Sequence, residues 1–261
     1  MRIDVLTLFP EMFEPLKVSI LGRAMEMGKL SLVLTNIRDF STDKHRRVDD
    51  YPYGGGPGMV LMCQPVFAAI EEVRMDNPGP VIYMGPKGER FTQATAKRLA
   101  ALEGFTLLCG HYEGIDERIY SVIDEEISLG DFILTGGEMS AIPIIDAVGR
   151  LLPGVLGTDE SSQEESFANG TLEYPQYTRP EEFRGIAVPA ILLSGHHENI
   201  RKWRRFMALK ATAEKRPDLY ERIVLSKEDK KIQAKIDEIS AFQGKRPKPA
   251  KPHNAVVAAD D

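Results

Sequence analysis

Short apolar segments alternate with segments of helical periodicity through the first 150 residues of the chain. Strand-like runs occupy residues 3–9, 30–35, 81–84, 105–109 and 132–134, and helical spacing occupies residues 92–102 and 139–152. Strands that alternate with helices are typical of the α/β fold class with a largely parallel sheet. Ligands of such sheets bind beyond the carboxyl ends of the strands. We therefore expect a site in the loops after Met84, after Cys109 and around Phe132.

The composition is that of a globular protein. Of the 261 residues, 43% are hydrophobic and 28% are charged, which excludes the collagen-like, coiled-coil and wholly disordered classes. Two cysteines, Cys63 and Cys109, supply neither a disulfide framework nor a metal-ligand pattern. The first residues do not read as a signal peptide, and no apolar run approaches the roughly 20 residues that span a bilayer. We therefore expect a soluble, cytoplasmic protein with no membrane partner.

The charge is segregated along the chain. The net charge of −6 argues against a generic nucleic-acid binder. However, residues 111–131 carry seven acidic side chains and one basic one, whereas residues 201–216 carry seven basic side chains and one acidic one. A basic face of this kind suits contact with an RNA backbone, because local fields matter more than the total for a partner that docks on one face. A solvated helix face is the alternative interpretation.

The composition changes after residue 157. The polar and acidic segment 158–166 has no apolar face, which is typical of a linker or mobile loop. We predict that a helix begins near Ser194-Gly195-His196 and carries Ile200, Trp203 and Met207 on one stripe. A further helical stretch is predicted at about 227–242, and the Pro-rich composition of residues 243–261 predicts a disordered tail.

Glycines mark three segments that suit ligand binding. Gly54-Gly55-Gly56-Pro57-Gly58 allows close backbone approach, and the basic cluster of residues 44–47 precedes it beside Asp49 and Asp50. Its spacing matches neither a P-loop nor a dinucleotide fingerprint, so a flexible turn and a phosphate-binding hydrolase without a P-loop lysine are alternatives. Residues 110–118 and 130–138 follow apolar runs and contain glycines. Glycines leave backbone N–H and C=O groups accessible, and such groups can bond the edge of an adenine without a dedicated side chain. A plain strand–helix turn at Gly136-Gly137 is the alternative there.

On the residues alone, Arg150, Glu165 and the pair His196-His197 indicate neither catalysis nor metal binding. Arg150 complements the dipole of the helix that it ends, and Glu165 is a solvated linker residue. The adjacent His196 and His197 diverge by about 100° on a helix and lack a third ligand, so we predict no metal site.

Together these segments resemble the bacterial tRNA (guanine-N(1)-)-methyltransferases, which methylate the guanosine 3′ to the anticodon. The resemblance covers residues 1 to about 242. Its markers, which occur in the family's order and spacing, are Leu8-Phe9-Pro10-Glu11-Met12-Phe13, Arg38-Asp39-Phe40, residues 45–59, residues 110–118, residues 130–138, Pro153-Gly154-Val155-Leu156-Gly157, Tyr177-Thr178-Arg179-Pro180 and Ser194-Gly195-His196 with Trp203-Arg204.

The resemblance implies a fold that periodicity does not reveal. It is the SPOUT fold, an α/β domain with a parallel sheet and a deep trefoil knot, followed by a small, mostly helical C-terminal domain. The implied organisation is a knotted S-adenosylmethionine-binding catalytic domain at residues 1–157, a flexible interdomain linker at 158–172, a helical tRNA-binding domain at 173–242 and a disordered tail at 243–261. Members are homodimers whose composite active sites form between subunits.

The resemblance also implies site residues. The positions matching the family's S-adenosylmethionine site are Tyr83, Met84, Gly85, Pro86, Gly110, Tyr112, Glu113, Gly114, Leu129, Gly130, Asp131, Phe132, Ile133, Leu134, Gly136 and Gly137. Those expected to contact tRNA are His45, Arg46, Asp49, Pro57, Gly58, His196, Arg201 and Arg204. Magnesium (Mg²⁺) dependence is suggested too, with acidic groups such as Glu113 nearby, although no metal motif supports it.

Arg150 matches the family's guanine-contacting arginine, and Glu165 matches its general base. The family's usual Glu-Asp-Ser-Phe reads Glu164-Glu165-Ser166-Phe167 here, so the carboxylate gains one methylene, and Glu164 is a rival for the role. Guanine N(1) carries a proton at neutral pH, which a base must remove, and an arginine stabilises the charge that spreads to O6. The glutamate at position 165, where the family usually has aspartate, is the one feature that favours a second hypothesis, a non-catalytic RNA-binding protein.

Overall fold

The structure, a computed structural model, describes residues 1–156 and 165–231. The chain divides into two compact units, residues 1–163 and residues 164–261. The regular elements of the first unit are the strands and helices β1 (Arg2–Thr7), α1 (Ser19–Glu26), β2 (Ser31–Asn36), β3 (Asp49–Asp50), β4 (Val60–Leu61), α2 (Cys63–Asp76), β5 (Val81–Arg90), α3 (Gln93–Ala100), β6 (Gly104–Cys109), β7 (Glu125–Ser128) and α4 (Glu138–Gly149). Short 3₁₀ helices lie at Pro10–Lys17, Ile37–Phe40 and Glu117–Val122.

Five strands form a parallel sheet in the order β2-β1-β6-β5-β7. Successive side chains point to opposite faces, so the sheet supports two cores. Ile3 and Val5 lie in the core on the side of α1, α3 and α4, whereas Leu6 lies in the core on the side of α2. Helices cover both faces, so every residue of β6 and every residue of β1 except Arg2 is buried. The predicted α/β class with a parallel sheet is confirmed; the knot stays a prediction.

One predicted strand is wrong. Residues 132–134 contain no strand, and Phe132, Ile133 and Leu134 are 56%, 83% and 40% exposed. The chain turns there, because the Phe132 amide donates to the Gly130 carbonyl at 2.9 Å. The fifth strand is instead β7, whose sequence is Glu-Glu-Ile-Ser. As an edge strand it pairs only with β5, so it needs fewer apolar residues than the central strands.

The turn predicted at residues 85–88 is a bulge. β5 continues through it to Arg90, and its register against β7 shifts between Met84 and Glu89. The other predicted strands and the helices at 92–102 and 139–152 match β1, β2, β6, α3 and α4 with small shifts at their ends. The periodicity analysis missed α1 and α2. Gly22 and Pro65 interrupt their patterns.

The described part of the second unit contains β8 (Glu182–Phe183), β9 (Ile186–Ala187), α5 (Ala190–Leu193), α6 (His197–Lys215) and α7 (Pro217–Tyr220). Leu172 donates its amide to Thr212 of α6 at 2.8 Å, so residues near 172 belong to this unit. Arg205 of α6 forms a two-pronged ion pair with Asp229 at 2.8 and 3.0 Å. Residues 227–231 are helical; the rest of the predicted 227–242 helix, the predicted tail and residues 157–164 lie outside the described residues.

Candidate functional site

A cavity of about 480 Å³ opens at the carboxyl end of the central strands. Its walls come from three segments: the β5 bulge, the loop after β6 and the segment between β7 and α4. This is the edge at which parallel α/β sheets bind their ligands, and the volume is that of an ordinary small-molecule site.

The structure brings nearly all the predicted S-adenosylmethionine-binding residues to this cavity. Those that line it are Tyr83, Met84, Gly85, Pro86, Gly110, Tyr112, Glu113, Gly114, Leu129, Gly130, Phe132, Ile133, Leu134, Gly136 and Gly137. Asp131 is the exception, because its exposed carboxylate pairs with Arg90 at 2.8 Å instead. The role of these residues stays a prediction.

Sequence reasoning missed several residues in the wall. They include Lys87, His111, Glu117, Tyr120 and Ser140. Lys87 lies in the bulge, and Glu117 and Tyr120 lie in a 3₁₀ helix, neither of which periodicity detects. His111 stands between Gly110 and Tyr112 in the glycine-bracketed loop, so its position alone was a signal for it.

Two glycines allow the wall segments to approach closely. The Gly137 amide donates to the Gly110 carbonyl at 2.8 Å. A Cβ at position 137 would lie 2.7 Å from the Cys109 Cα, and a Cβ at position 110 would lie 2.7 Å from the Tyr83 hydroxyl oxygen. A side chain at either position would therefore push the end of β6 away from its neighbours.

Burial keeps the hydroxyl and thiol groups near the cavity neutral. It raises the pKa of Tyr83 to about 12, with a further contribution from the negative charge of Glu126. Burial and Glu126 also raise the pKa of Tyr120, and burial followed by Glu138 raises the pKa of Cys109. At neutral pH these groups act as hydrogen-bonding and packing groups, so none of them serves as a general base.

The glycine-rich segment 54–58 meets the cavity wall at its end. Gly58 has a φ of +82°, and a Cβ there would lie 2.3 Å from the Glu113 Cγ. The Glu113 amide donates to the Met59 carbonyl at 3.0 Å, and Arg38 donates to the Tyr112 hydroxyl at 3.4 Å. Gly54, Gly55 and Gly56 are exposed and do not line the cavity. The end of the segment therefore supports the outer wall of the cavity.

The residues predicted to contact tRNA fall in both units. In the first, His45 and Arg46 lie in an exposed turn with Arg46 paired to Asp39 at 3.1 Å, Asp49 begins β3, and Pro57 and Gly58 are exposed. In the second, His196 is the exposed residue before α6, Arg201 donates to Glu198 at 2.9 and 3.0 Å, and Arg204 lies over the Tyr174 ring at 4.8 Å. Arg201 and Lys202 lower the pKa of Glu198 to about 2, so this acid offsets part of the basic face.

Arg150 does not line the cavity. Arg150 follows the last residue of α4, whereas Gly137 and Ser140 at the start of that helix line the cavity. A 12-residue helix is about 18 Å long, so the two ends are far apart. Glu165 belongs to the second unit.

The fold and the cavity define an α/β protein with a cavity of small-molecule size among glycine-rich loops at the carboxyl edge of a parallel sheet. Residues 1–222 match the model of the family described as tRNA (Guanine-1)-methyltransferase TrmD. The chain belongs to this family, and it is accordingly a methyltransferase that acts on the guanine of tRNA.

Curated relatives agree with this assignment. The tRNA (guanine-N(1)-)-methyltransferase of Clostridium beijerinckii is 61% identical over 232 residues, which cover 89% of this chain and 97% of the relative. The enzyme of the same name from Clostridium perfringens is 60% identical over 89% of this chain and 98% of the relative. That from Clostridium acetobutylicum is 58% identical over 89% of this chain and 96% of the relative.

Within residues 1–156 and 165–231, no three His, Cys, Asp or Glu side chains gather in a way that could hold a metal ion. In the same ranges, no helix combines the length and the apolar character needed to cross a membrane.

Proposed function

We propose that the chain transfers a methyl group from S-adenosylmethionine to N(1) of the guanosine 3′ to the anticodon in tRNA. The observation that carries this proposal is the cavity, because residues assigned from the sequence to a methyl-donor site converge on one cavity of suitable size. S-adenosylmethionine supplies an electrophilic methyl group on a positively charged sulfur.

The wall suits such a ligand chemically. Glycines at positions 110, 136 and 137 expose backbone amides and carbonyls, which can bond the edge of an adenine without a dedicated side chain. The carboxylates of Glu113 and Glu117 line the same cavity and favour a cation over an anion. Tyr83 stays protonated and offers only neutral contacts.

We assign the general base to Glu165 and the stabilisation of charge on guanine O6 to Arg150. The base removes the N(1) proton, which leaves a nucleophilic nitrogen in line with the methyl group. As the proton leaves, negative charge spreads to O6, and a positioned guanidinium lowers the energy of that state. A carboxylate in this role contributes about 10²–10⁴-fold to turnover.

The length of α4 supports a homodimer with composite sites. Arg150 lies about 18 Å from the end of α4 that lines the cavity, and an arginine side chain spans less than half of that distance. This separation favours a guanosine contact made by the Arg150 of a second copy. We also propose that residues 45–58 and the basic face of α6 contact tRNA. The predicted knot belongs to the domain that binds S-adenosylmethionine.

The described residues do not fit a self-contained magnesium site, because no three suitable ligands come together among them. We therefore assign no step of the reaction to a metal.

The proposal is tested with radiolabelled S-adenosylmethionine and two tRNA transcripts that differ only 3′ to the anticodon, one with guanosine and one with adenosine. Label incorporated into the first transcript alone supports the proposal. Label in both would contradict the assigned target, and label in neither would contradict the assigned donor or activity. Binding of S-adenosylmethionine by calorimetry, without tRNA, separates these last two.

A further inference from the structure

We infer that Glu138 is a positioning residue that orients His111 in the wall of the cavity, an inference that rests on the proposed methyl-donor function of that cavity. Glu138 is the first residue of α4 and its side chain is fully buried. His111 lines the cavity, and 24% of its side chain stays accessible.

The carboxylate of Glu138 is held on one side and faces the imidazole on the other. Its Oε1 accepts from the Thr7 hydroxyl at 2.8 Å, and Thr7 in turn accepts from the Phe9 amide at 2.9 Å. Its Oε2 lies 3.6 Å from Nδ1 of His111. Both of these atoms are buried, and within the described residues neither has a hydrogen-bond partner. Two buried polar atoms that lack partners therefore face each other across 3.6 Å.

A buried carboxylate is costly unless nearby groups compensate it. Here the compensation comes from the Thr7 hydroxyl, from the amino end of the 12-residue helix α4 and from His111. Thr7 ends β1, His111 follows β6 and Glu138 begins α4, so the three side chains join three elements under one wall.

The imidazole is confined from several directions. Its ring packs against Phe9 at 5.0 Å and Tyr112 at 5.4 Å between centroids. A Cβ at Gly136 would lie 2.5 Å from both Oε2 of Glu138 and Nδ1 of His111, so only glycine there keeps the two atoms adjacent. Tyr112 has a φ of 60°, a strained value for a non-glycine residue, which persists only where the surroundings impose it.

The chemical consequence concerns the tautomer of His111. A carboxylate only accepts, so it favours an Nδ1–H, and a neutral imidazole then carries its lone pair on Nε2. Glu138 thereby decides whether His111 offers a ligand an acceptor or a donor, although Glu138 does not line the cavity. In Glu138→Gln the amide oxygen can keep the Thr7 bond while its NH₂ group faces Nδ1, so the ring proton moves to Nε2.

The first test needs no ligand. Full-length protein labelled with ¹⁵N in its histidine rings is examined by NMR at alkaline pH, where imidazole is neutral, and the His111 signals are identified by their loss in His111→Gln. We expect an Nδ1–H ring in the native chain and an Nε2–H ring in Glu138→Gln. An Nε2–H ring in the native chain, or the same tautomer in both proteins, overturns the inference.

The second test is a double-mutant cycle on S-adenosylmethionine binding by calorimetry. We expect Glu138→Gln to raise Kd about tenfold, the effect of one misdirected hydrogen bond, and to have no further effect in the His111→Gln background. Equal effects in both backgrounds would show a general structural role and overturn the inference. Glu72→Gln, an exposed carboxylate on α2, is the matched control and should leave Kd unchanged.

If Glu138→Gln fails to fold, which a thermal unfolding curve would show, a second variant tests the inference. Gly136→Ala inserts a methyl group between the two atoms, so the same NMR measurement should show that the His111 ring loses its preference for Nδ1–H; an unchanged Nδ1–H ring would overturn the inference. If the native chain does not bind S-adenosylmethionine, the proposed function fails, and the tautomer measurement still decides the role of Glu138.

Discussion

Gly137→Ala tests whether the close approach of β6 and α4 shapes the cavity. A Cβ at position 137 would lie 2.7 Å from the Cys109 Cα and 2.9 Å from the Gly110 amide nitrogen. Carbon atoms in contact lie about 3.5–4.0 Å apart, so two backbone segments must separate by about 1 Å. Overpacking of this kind costs about 1–3 kcal/mol. Gly137 has a φ of −69°, so the penalty is one of contact and not of backbone conformation.

The substitution should weaken binding as well as stability. Gly110 and Gly137 both line the cavity, and a displacement of about 1 Å in an enzyme site can lower the rate by up to about 10²-fold. We expect a rise of at least about tenfold in the Kd for S-adenosylmethionine by calorimetry, with a moderate fall in Tm.

Gly149→Ala, at the other end of α4, is the matched control. Its Cβ would lie 2.7 Å from a terminal methyl of Leu21, which can rotate away, and alanine gains about 0.5–1 kcal/mol of helix propensity over glycine. We expect unchanged Kd and an unchanged or higher Tm. Native affinity and native Tm in Gly137→Ala would refute the reasoning.

Three further predictions concern the proposed chemistry and the second unit. Glu165→Gln should lower single-turnover methylation about 10²–10⁴-fold with S-adenosylmethionine binding retained, whereas the same loss in Glu164→Gln alone would move the base to Glu164. Arg150→Ala should likewise lower the single-turnover rate, and an unchanged rate would remove Arg150 from the site. Asp229→Asn should reduce stability by about 2 kcal/mol, because Arg205 lowers the pKa of the Asp229 carboxyl from 3.8 to about 2. The stability that the ionised Asp229 carboxylate contributes is nearly complete above about pH 4 and is lost as the pH falls towards 2. The stabilities of the native protein and of Asp229→Asn should therefore converge near pH 2 in acid unfolding. A constant difference between the two proteins over this range would contradict the prediction.

The sequence predicted the fold class and the location of the cavity because both depend on local patterns. Apolar residues make up half of β1, most of β6 and the first four residues of β5, and glycines stand at position 85 within β5 and at position 110 directly after β6. The edge strand β7 escaped prediction because Glu125 and Glu126 interrupt its apolar pattern, while the exposed Phe132 and Ile133 imitate one.

The parts that could not be predicted depend on contacts distant in sequence. The bond between Thr7 and Glu138 joins residues 131 positions apart, and no periodicity encodes such a pair. The same holds for Gly136, where the reason for glycine is a histidine 25 residues earlier in the chain. Such constraints exist only after the strands are ordered in the sheet.

The pairing of Thr7 with Glu138 has a consequence for how the protein is made. The first strand leaves the ribosome long before its partner carboxylate, since 131 residues separate them. At a synthesis rate of about 5–20 residues per second, the nascent chain waits for about 7–26 s before that bond can form. For most of this interval β1 also lacks its neighbour β6, residues 104–109, so one edge of β1 stays unpaired and open to other chains in the cell.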